Sequence, residues 1–282
     1  MKFSELMKNL EHEDLGFITK YGEIEEYQDE YFYTINSRNS DLMQEIKSRV
    51  SEKKPMFPYL SNGENLSKVK RPIKWDVLLS NKCEIRSTRD LIGKFAVRRR
   101  DTKSTLLNKG HLVAKKFQKY ICGENKPIDD FFCENVIANI AYQFSDKNSG
   151  NDKKRGQLQF EQAVMNSFPK DTGTDSENKK VLVYYEVEPI FLNTDDKIPI
   201  GTRIFAFRDT DTSDQVNNFI SQNKEKDEFT ITLPYHIFIP NYMEYNGAEK
   251  DSEITNAFKK FYAGDIESIS KCYSHQNTSK NK

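Results

Sequence analysis

Apolar residues recur at helical spacing at Phe3, Leu6, Met7 and Leu10, and again at Leu42, Ile46 and Val50, so the start of the chain predicts two amphipathic helices. Between them Tyr27, Tyr31, Phe32 and Tyr33 form an aromatic, strand-like segment. Residues 52–72 then hold Pro55, Pro58 and Pro72 with Ser61, Asn62 and Gly63, which predicts a linker or long loop and a boundary near residue 70. Beyond it short strand candidates predominate, at 75–79, 91–98 and in the segment leading into Leu106. A helix is predicted over 158–168, strands over 181–191, 204–207 and 229–239, and a last helix over 254–269. The succession predicts an α+β fold around a central, mostly antiparallel sheet. It divides into a helical, acidic N-terminal region (1–70), a main domain (71–272) and a disordered tail (273–282). No apolar run reaches 18 residues, so no membrane-spanning helix and no membrane partner are expected.

Composition narrows the class. The 282 residues are 36% hydrophobic and 30% charged, enough apolar bulk for a sizeable core. The 43 Lys and Arg balance 43 Asp and Glu, yet the balance is uneven along the chain. Residues 1–36 carry nine acidic and three basic side chains. Residues 94–119 carry nine basic ones (Lys94, Arg98, Arg99, Arg100, Lys103, Lys109, Lys115, Lys116 and Lys119) against Asp101 alone. A segment so basic suits a polyanion, because phosphates attract Lys and Arg without any reading of bases. The bland alternative is a solvated face, and for residues 1–36 an acidic cap that could otherwise mask the basic segment. Cys83, Cys122, Cys133 and Cys272 contain no Cys-x-x-Cys pair and read as reduced structural thiols, not a zinc site. The first residues lack the apolar core and cleavage site of a secretory signal. Cytoplasmic residence, or export by a route that leaves no N-terminal mark, is the expectation.

Only four histidines exist: His12, His111, His236 and His275. Three lack informative neighbours and read as structural or solvated. His111 lies inside the basic segment, after Asn108-Lys109-Gly110 and before Leu112, where a glycine permits close backbone approach and an imidazole can act as a base. Downstream stand Asn139-Ile140-Ala141-Tyr142-Gln143, then Asn148, then Gly156-Gln157-Leu158-Gln159-Phe160-Glu161.

In that order and spacing these motifs resemble the DNA/RNA non-specific endonucleases of the ββα-metal (His-Me finger) superfamily, and most of all the secreted and surface nucleases of Gram-positive bacteria. The resemblance spans roughly residues 75–240 and continues less specifically through 183–189 and 198–201. It implies a ββα-metal finger within the sheet protein and metal-dependent hydrolysis of phosphodiester bonds in DNA or RNA. His111 would be the general base. Asn148 would hold one Mg²⁺, for which Mn²⁺ can substitute, its amide oxygen suiting a hard ion. Glu161 would hold one of the ion's waters or position the site, serving both metal and catalysis. Asn108, Asn139 and Gln143 read as supporting residues, Asn139 and Gln143 as hydrogen-bonding braces of the loop.

The departures from the pattern are specific. The family's Asp and Arg before Gly-His are here Asn108 and Lys109, and Lys cannot offer a bidentate fork to phosphate. Met165 stands where relatives often place a phosphate-binding Arg one turn after their Glu. Transition-state charge then falls to Lys109, to one of Arg98, Arg99 and Arg100, or to Lys153, Lys154 and Arg155. Arg98–Arg100, Lys115, Lys116 and Lys153–Arg155 are the expected nucleic-acid contacts. The alternative reading is a nucleic-acid-binding module on the same fold with weakened catalysis. As an active nuclease the protein suits a toxin or defence effector, restrained by an inhibitor or immunity protein.

Overall fold

Strand alternation sorts the side chains of the middle of the chain onto two faces of one sheet. The computed structural model describes residues 1–12, 15–27, 31–36, 38–51, 70–82, 86–90, 106–126, 132, 136–149, 156–169, 180–216, 218–223, 228–245, 247 and 249–279. In chain order the helices are α1 (Phe3–Asn9), α2 (Gly16–Thr19), α3 (Asn39–Ser51), α4 (Ser145–Ser149), α5 (Gln157–Asn166), α6 (Asp251–Ala263) and α7 (Ile266–Ser279). The strands are β1 (Ile24–Tyr27), β2 (Phe32–Ile35), β3 (Trp75–Ser80), β4 (Arg86–Asp90), β5 (Leu107–His111), β6 (Ile121–Lys126), β7 (Ile140–Phe144), β8 (Leu182–Ile190), β9 (Gly201–Arg208), β10 (Ile220–Asn223), β11 (Glu228–Ile231) and β12 (Tyr235–Pro240).

Eight strands form the main sheet in the order β1-β2-β12-β9-β8-β3-β6-β4. All its pairings are antiparallel except the parallel β4–β6 edge. The protein is therefore α+β with a mostly antiparallel sheet, as its periodicity predicts. One face presents Trp75, Val77 and Leu79 of β3, Val183, Tyr185 and Val187 of β8, Ile204 and Ala206 of β9, and Tyr235, Ile237 and Ile239 of β12. Against them pack Phe117 and the inner side of α5 (Phe160, Ala163, Val164), so this core is the floor on which the candidate site is built. The opposite face is covered by α3, through Met43 and Ile46 on Phe205 and Phe207, and by α1, whose Phe3 packs on Tyr33 and Phe238.

That opposite face also buries a polar cluster. Arg203, fully buried on β9, pairs with Glu186 and donates from Nε to Glu188 at 3.0 Å. Its Nη1 donates to His236 Nε2 at 2.8 Å, so His236 Nδ1–H faces the Asn39 carbonyl oxygen at 2.7 Å. Burial, then Arg203 and Lys74, hold His236 well below the usual imidazole range. His236 is thus a neutral structural histidine with both ring nitrogens engaged.

Several expectations meet a different structure. Over its described residues the N-terminal region is not only helical, for β1 and β2 extend the main sheet, with Tyr33 paired to Phe238 and Thr34 to Ile237. The long strand over 229–239 divides into β11 and β12 because Pro234 has no N–H for a ladder. The C-terminal helix divides at Gly264, which takes a left-handed φ of 117° and caps α6. Helix α7 carries the chain through Ser279, past the start of the predicted tail. Cys122 is disulfide-bonded, so the expectation of four reduced thiols fails, while Cys272 is free. The strand predicted over 91–98 lies outside the described residues. Among the described residues no helix is long and apolar enough to cross a membrane.

Candidate active site

Strands β5 and β7 pair antiparallel apart from the main sheet, with His111 opposite Ile140, Lys109 opposite Tyr142 and Asn108 opposite Gln143. Helices α4 and α5 follow β7, so two strands and a helix hold the residues of the basic segment against those of the downstream motifs. Among the described residues no strand pairing joins this unit to the sheet; side-chain bonds do, with one backbone bond from Ile73 N–H to the Ala138 carbonyl at 3.2 Å. Trp75 Nε1 donates to the Ala138 carbonyl at 2.9 Å, Tyr185 Oη to Leu112 at 3.3 Å and Tyr235 Oη to Phe160 at 2.9 Å. Asn241 stands in for a neighbouring strand on β7, accepting from Phe144 N–H at 3.0 Å and donating to the Tyr142 carbonyl at 2.8 Å.

A pocket of about 240 Å³ opens on this unit, lined by Lys109, His111, Ala114, Lys115, Lys116, Asn148, Leu158 and Glu161. The structure thus brings His111, Asn148 and Glu161 together with three of the basic residues. His111 sits at the end of β5 with Nε2 2.9 Å from the Phe132 carbonyl oxygen. A carbonyl can only accept, so Nε2 carries its proton and, in the neutral ring, the lone pair resides on Nδ1. Asn139, wholly buried, clamps the residue two positions beyond His111: its Oδ1 accepts from Val113 N–H at 2.8 Å and its Nδ2 donates to the Val113 carbonyl at 3.2 Å.

Gly110 is the point of closest approach. A Cβ there would lie 2.5 Å from Gln143 Oε1 and 2.7 Å from Asn148 Oδ1, so two carboxamide oxygens converge where any larger residue would place its side chain. Gln143 is buried, and among the described residues its Oε1 has no hydrogen-bond partner, while its Nε2 donates to Gln157 Oε1 at 2.9 Å. Gln157 in turn donates to the His111 carbonyl at 2.7 Å and to Glu161 Oε1 at 2.9 Å. One side chain therefore couples the end of β5 to the first turns of α5. Sequence reasoning placed Gln157 in a motif without a role; its position four residues before Glu161, on the same helical face, was the available signal.

Glu161 is 5% exposed. Burial pushes its carboxyl up to about 7, opposed by Lys116 and by the Gln157 amide. Lys116 Nζ stands 3.7 Å from Glu161 Oε2. Lys115 is exposed and Lys109 half-buried at the rim. Asn108 is half-buried on β5. Arg98, Arg99, Arg100, Lys153, Lys154 and Arg155 lie outside the described residues.

No protein-family model matches the chain, and no curated protein matches its sequence. Solved structures it resembles include nucleases. NucA from Streptococcus agalactiae with magnesium ion bound is 17% identical over 82% of this chain and 89% of that one, with a TM-score of 0.42. An extracellular endonuclease is 16% identical over 71% and 88%, with a TM-score of 0.35. Sda1 nuclease with bound zinc ion is 15% identical over 49% of this chain and 40% of that one, with a TM-score of 0.27.

The donor set around the pocket suits a hard divalent cation. Asn148 contributes a carboxamide oxygen at the wall, Glu161 a carboxylate, and the unpartnered Gln143 Oε1 lies beside Asn148 over Gly110. Among the described residues no three His, Cys, Asp and Glu side chains cluster as ligands, so within them such an ion would rest on the Glu161 carboxylate, the carboxamide oxygens and its own waters.

Proposed function

We propose that the protein is a metal-dependent, sequence-nonspecific endonuclease that hydrolyses phosphodiester bonds of DNA or RNA. One observation carries the reading: His111, Asn148 and Glu161, from three separate elements, line one pocket walled by lysines. On this reading β5, β7 and α5 form a ββα-metal finger.

His111 is the general base. The Phe132 carbonyl fixes its ring, and Nδ1 takes a proton from the attacking water. The water oxygen bonds to phosphorus as the bond from phosphorus to the leaving oxygen breaks. The electron pair stays on that oxygen, which takes a proton from solvent, leaving a phosphomonoester and an alcohol. Asn148 and Glu161 are the residues that would hold the cation, with Gln143 Oε1 close behind. When bound, Mg²⁺ or Mn²⁺ supplies neutralisation of charge on the phosphate and the departing oxygen. Asn139 and Gln157 keep the imidazole in place by holding the backbone at Val113 and His111, and Gln157 also donates directly to the Glu161 carboxylate. Lys109 and Lys115, with the basic residues on either side of the described segments, track the phosphate backbone, which carries no sequence information.

Incubating supercoiled plasmid or total RNA with Mg²⁺, Mn²⁺ or EDTA tests the proposal. Nicking that needs the cation and falls by about 10²–10⁴ in His111→Ala, with DNA affinity nearly intact, is the expected result. Cleavage that survives both EDTA and His111→Ala overturns it.

A further inference from the structure

Lys115 and Lys116 are adjacent in sequence and unlike in structure. Both belong to the 3₁₀ turn Lys115–Tyr120, in which successive side chains diverge by about 120°. The turn is pinned by Phe117, wholly buried and edge-on to Tyr185 at 5.0 Å. Lys115 consequently points outward and Lys116 inward, its side chain 27% exposed and its Nζ shut off from solvent. Among the described residues that nitrogen has no hydrogen-bond partner. The carboxylate nearest to it, Glu161 Oε2 at 3.7 Å, is close enough to attract an ammonium and too far to accept from it.

A buried ammonium with three unused donors is costly, and its cost is relieved only when an acceptor arrives. The space that could deliver one is the pocket whose wall Lys116 shares with His111, Asn148 and Glu161. The helix offers no other cation there, since Met165 occupies the position one turn beyond Glu161. Granted the nuclease reading, on which this step rests, we infer that Lys116 is a catalytic residue that donates a hydrogen bond to a non-bridging oxygen of the scissile phosphate. Its charge meets the charge that builds there as water adds. No proton leaves Lys116; the water's proton still goes to His111, and the leaving oxygen is still protonated from solvent. Glu161 keeps the ammonium beside the pocket, where a turn of the terminal bonds of Lys116 uncovers it to the phosphate, and burial, which lowers the pKa of Lys116, is partly offset by that carboxylate.

Steady-state cleavage of a short duplex with Mg²⁺ separates this role from general phosphate attraction. Lys116→Gln and Lys116→Met are expected to lower kcat by about 10²–10³ with KM within about threefold of wild type. Lys116→Arg, which keeps the charge, should recover at least a tenth of kcat. It also keeps the partner of Glu161, so the test survives if a neutral variant fails to fold by circular dichroism. Lys115→Gln should instead raise KM and flatten its salt dependence. Neutral variants with kcat near wild type, or a loss lying wholly in KM, overturn the inference while the nuclease reading stands on its cation and His111 dependence. A wild-type protein without cation-dependent cleavage overturns both.

Discussion

At the scale of single residues, Glu161 shows how burial sets chemistry. A carboxyl that titrates at 4.5 in the unfolded chain and at about 7 in the folded one keeps its proton longer when folded. Between those values the folded state binds more protons, so the contribution of Glu161 to stability is greatest below about 4.5 and is lost as pH rises through about 7. Replacing it with a group that never ionises removes this loss. In urea denaturation between pH 4 and 8 without divalent cation, Glu161→Gln should gain stability relative to wild type as pH rises, by up to about 3 kcal/mol, levelling off above pH 7. A pH-independent difference between the two would contradict the burial argument. Residue types were legible here, and residue environments were not. His111 stood out by its glycine and its basic neighbours, Asn148 and Glu161 through the resemblance of their motifs to those of a nuclease family. Lys116 was one of nine basic side chains in its segment, and only the seat of Phe117 in the core distinguishes it from Lys115.

At the scale of elements, the contact between β5, β7 and α4 converges on Gly110. The sequence offered glycine as a place of close backbone approach, and the structure identifies what approaches: the carboxamides of Gln143 and Asn148. A methyl group there must displace one or both, and Asn148, on the short helix α4, is the freer to move. Gly110→Ala should therefore cut cleavage by at least tenfold while lowering the melting temperature by only a few degrees, about 1–2 kcal/mol. Near-normal activity would mean that the Asn148 oxygen does not need its present position. Amphipathic elements such as α1, α3, α5 and β8 were legible because one apolar stripe or alternation defines each. Breaks were harder, since Pro234 and Gly264 divide elements whose hydrophobic pattern runs on without interruption. The β1–β2 hairpin read only as an aromatic segment, because its pairing with β12 joins residues some 200 positions apart in the chain.

At the scale of the whole molecule, the sheet and the site-bearing unit are joined in different ways. Within the sheet, β8 and β9 share a continuous eight-residue register, from Val183 opposite Arg208 to Ile190 opposite Gly201. The β5–β7 unit touches that sheet through the indole of Trp75, the hydroxyls of Tyr185 and Tyr235, the amide of Asn241 and the core beneath α5. Amide hydrogen exchange should find β8 and β9 the slowest segments and β5 and β7 opening at lower free energy, whereas uniform protection would mean that the molecule opens as one. The sheet's architecture was legible from alternation; this second mode of attachment was not, because side-chain bonds to distant carbonyls leave no periodic trace in sequence. On gradual warming, a reporter of cleavage should thus fade while the far-ultraviolet signal is still intact, and cooling should restore it, because what comes loose first is the fastening of the working part and not its foundation.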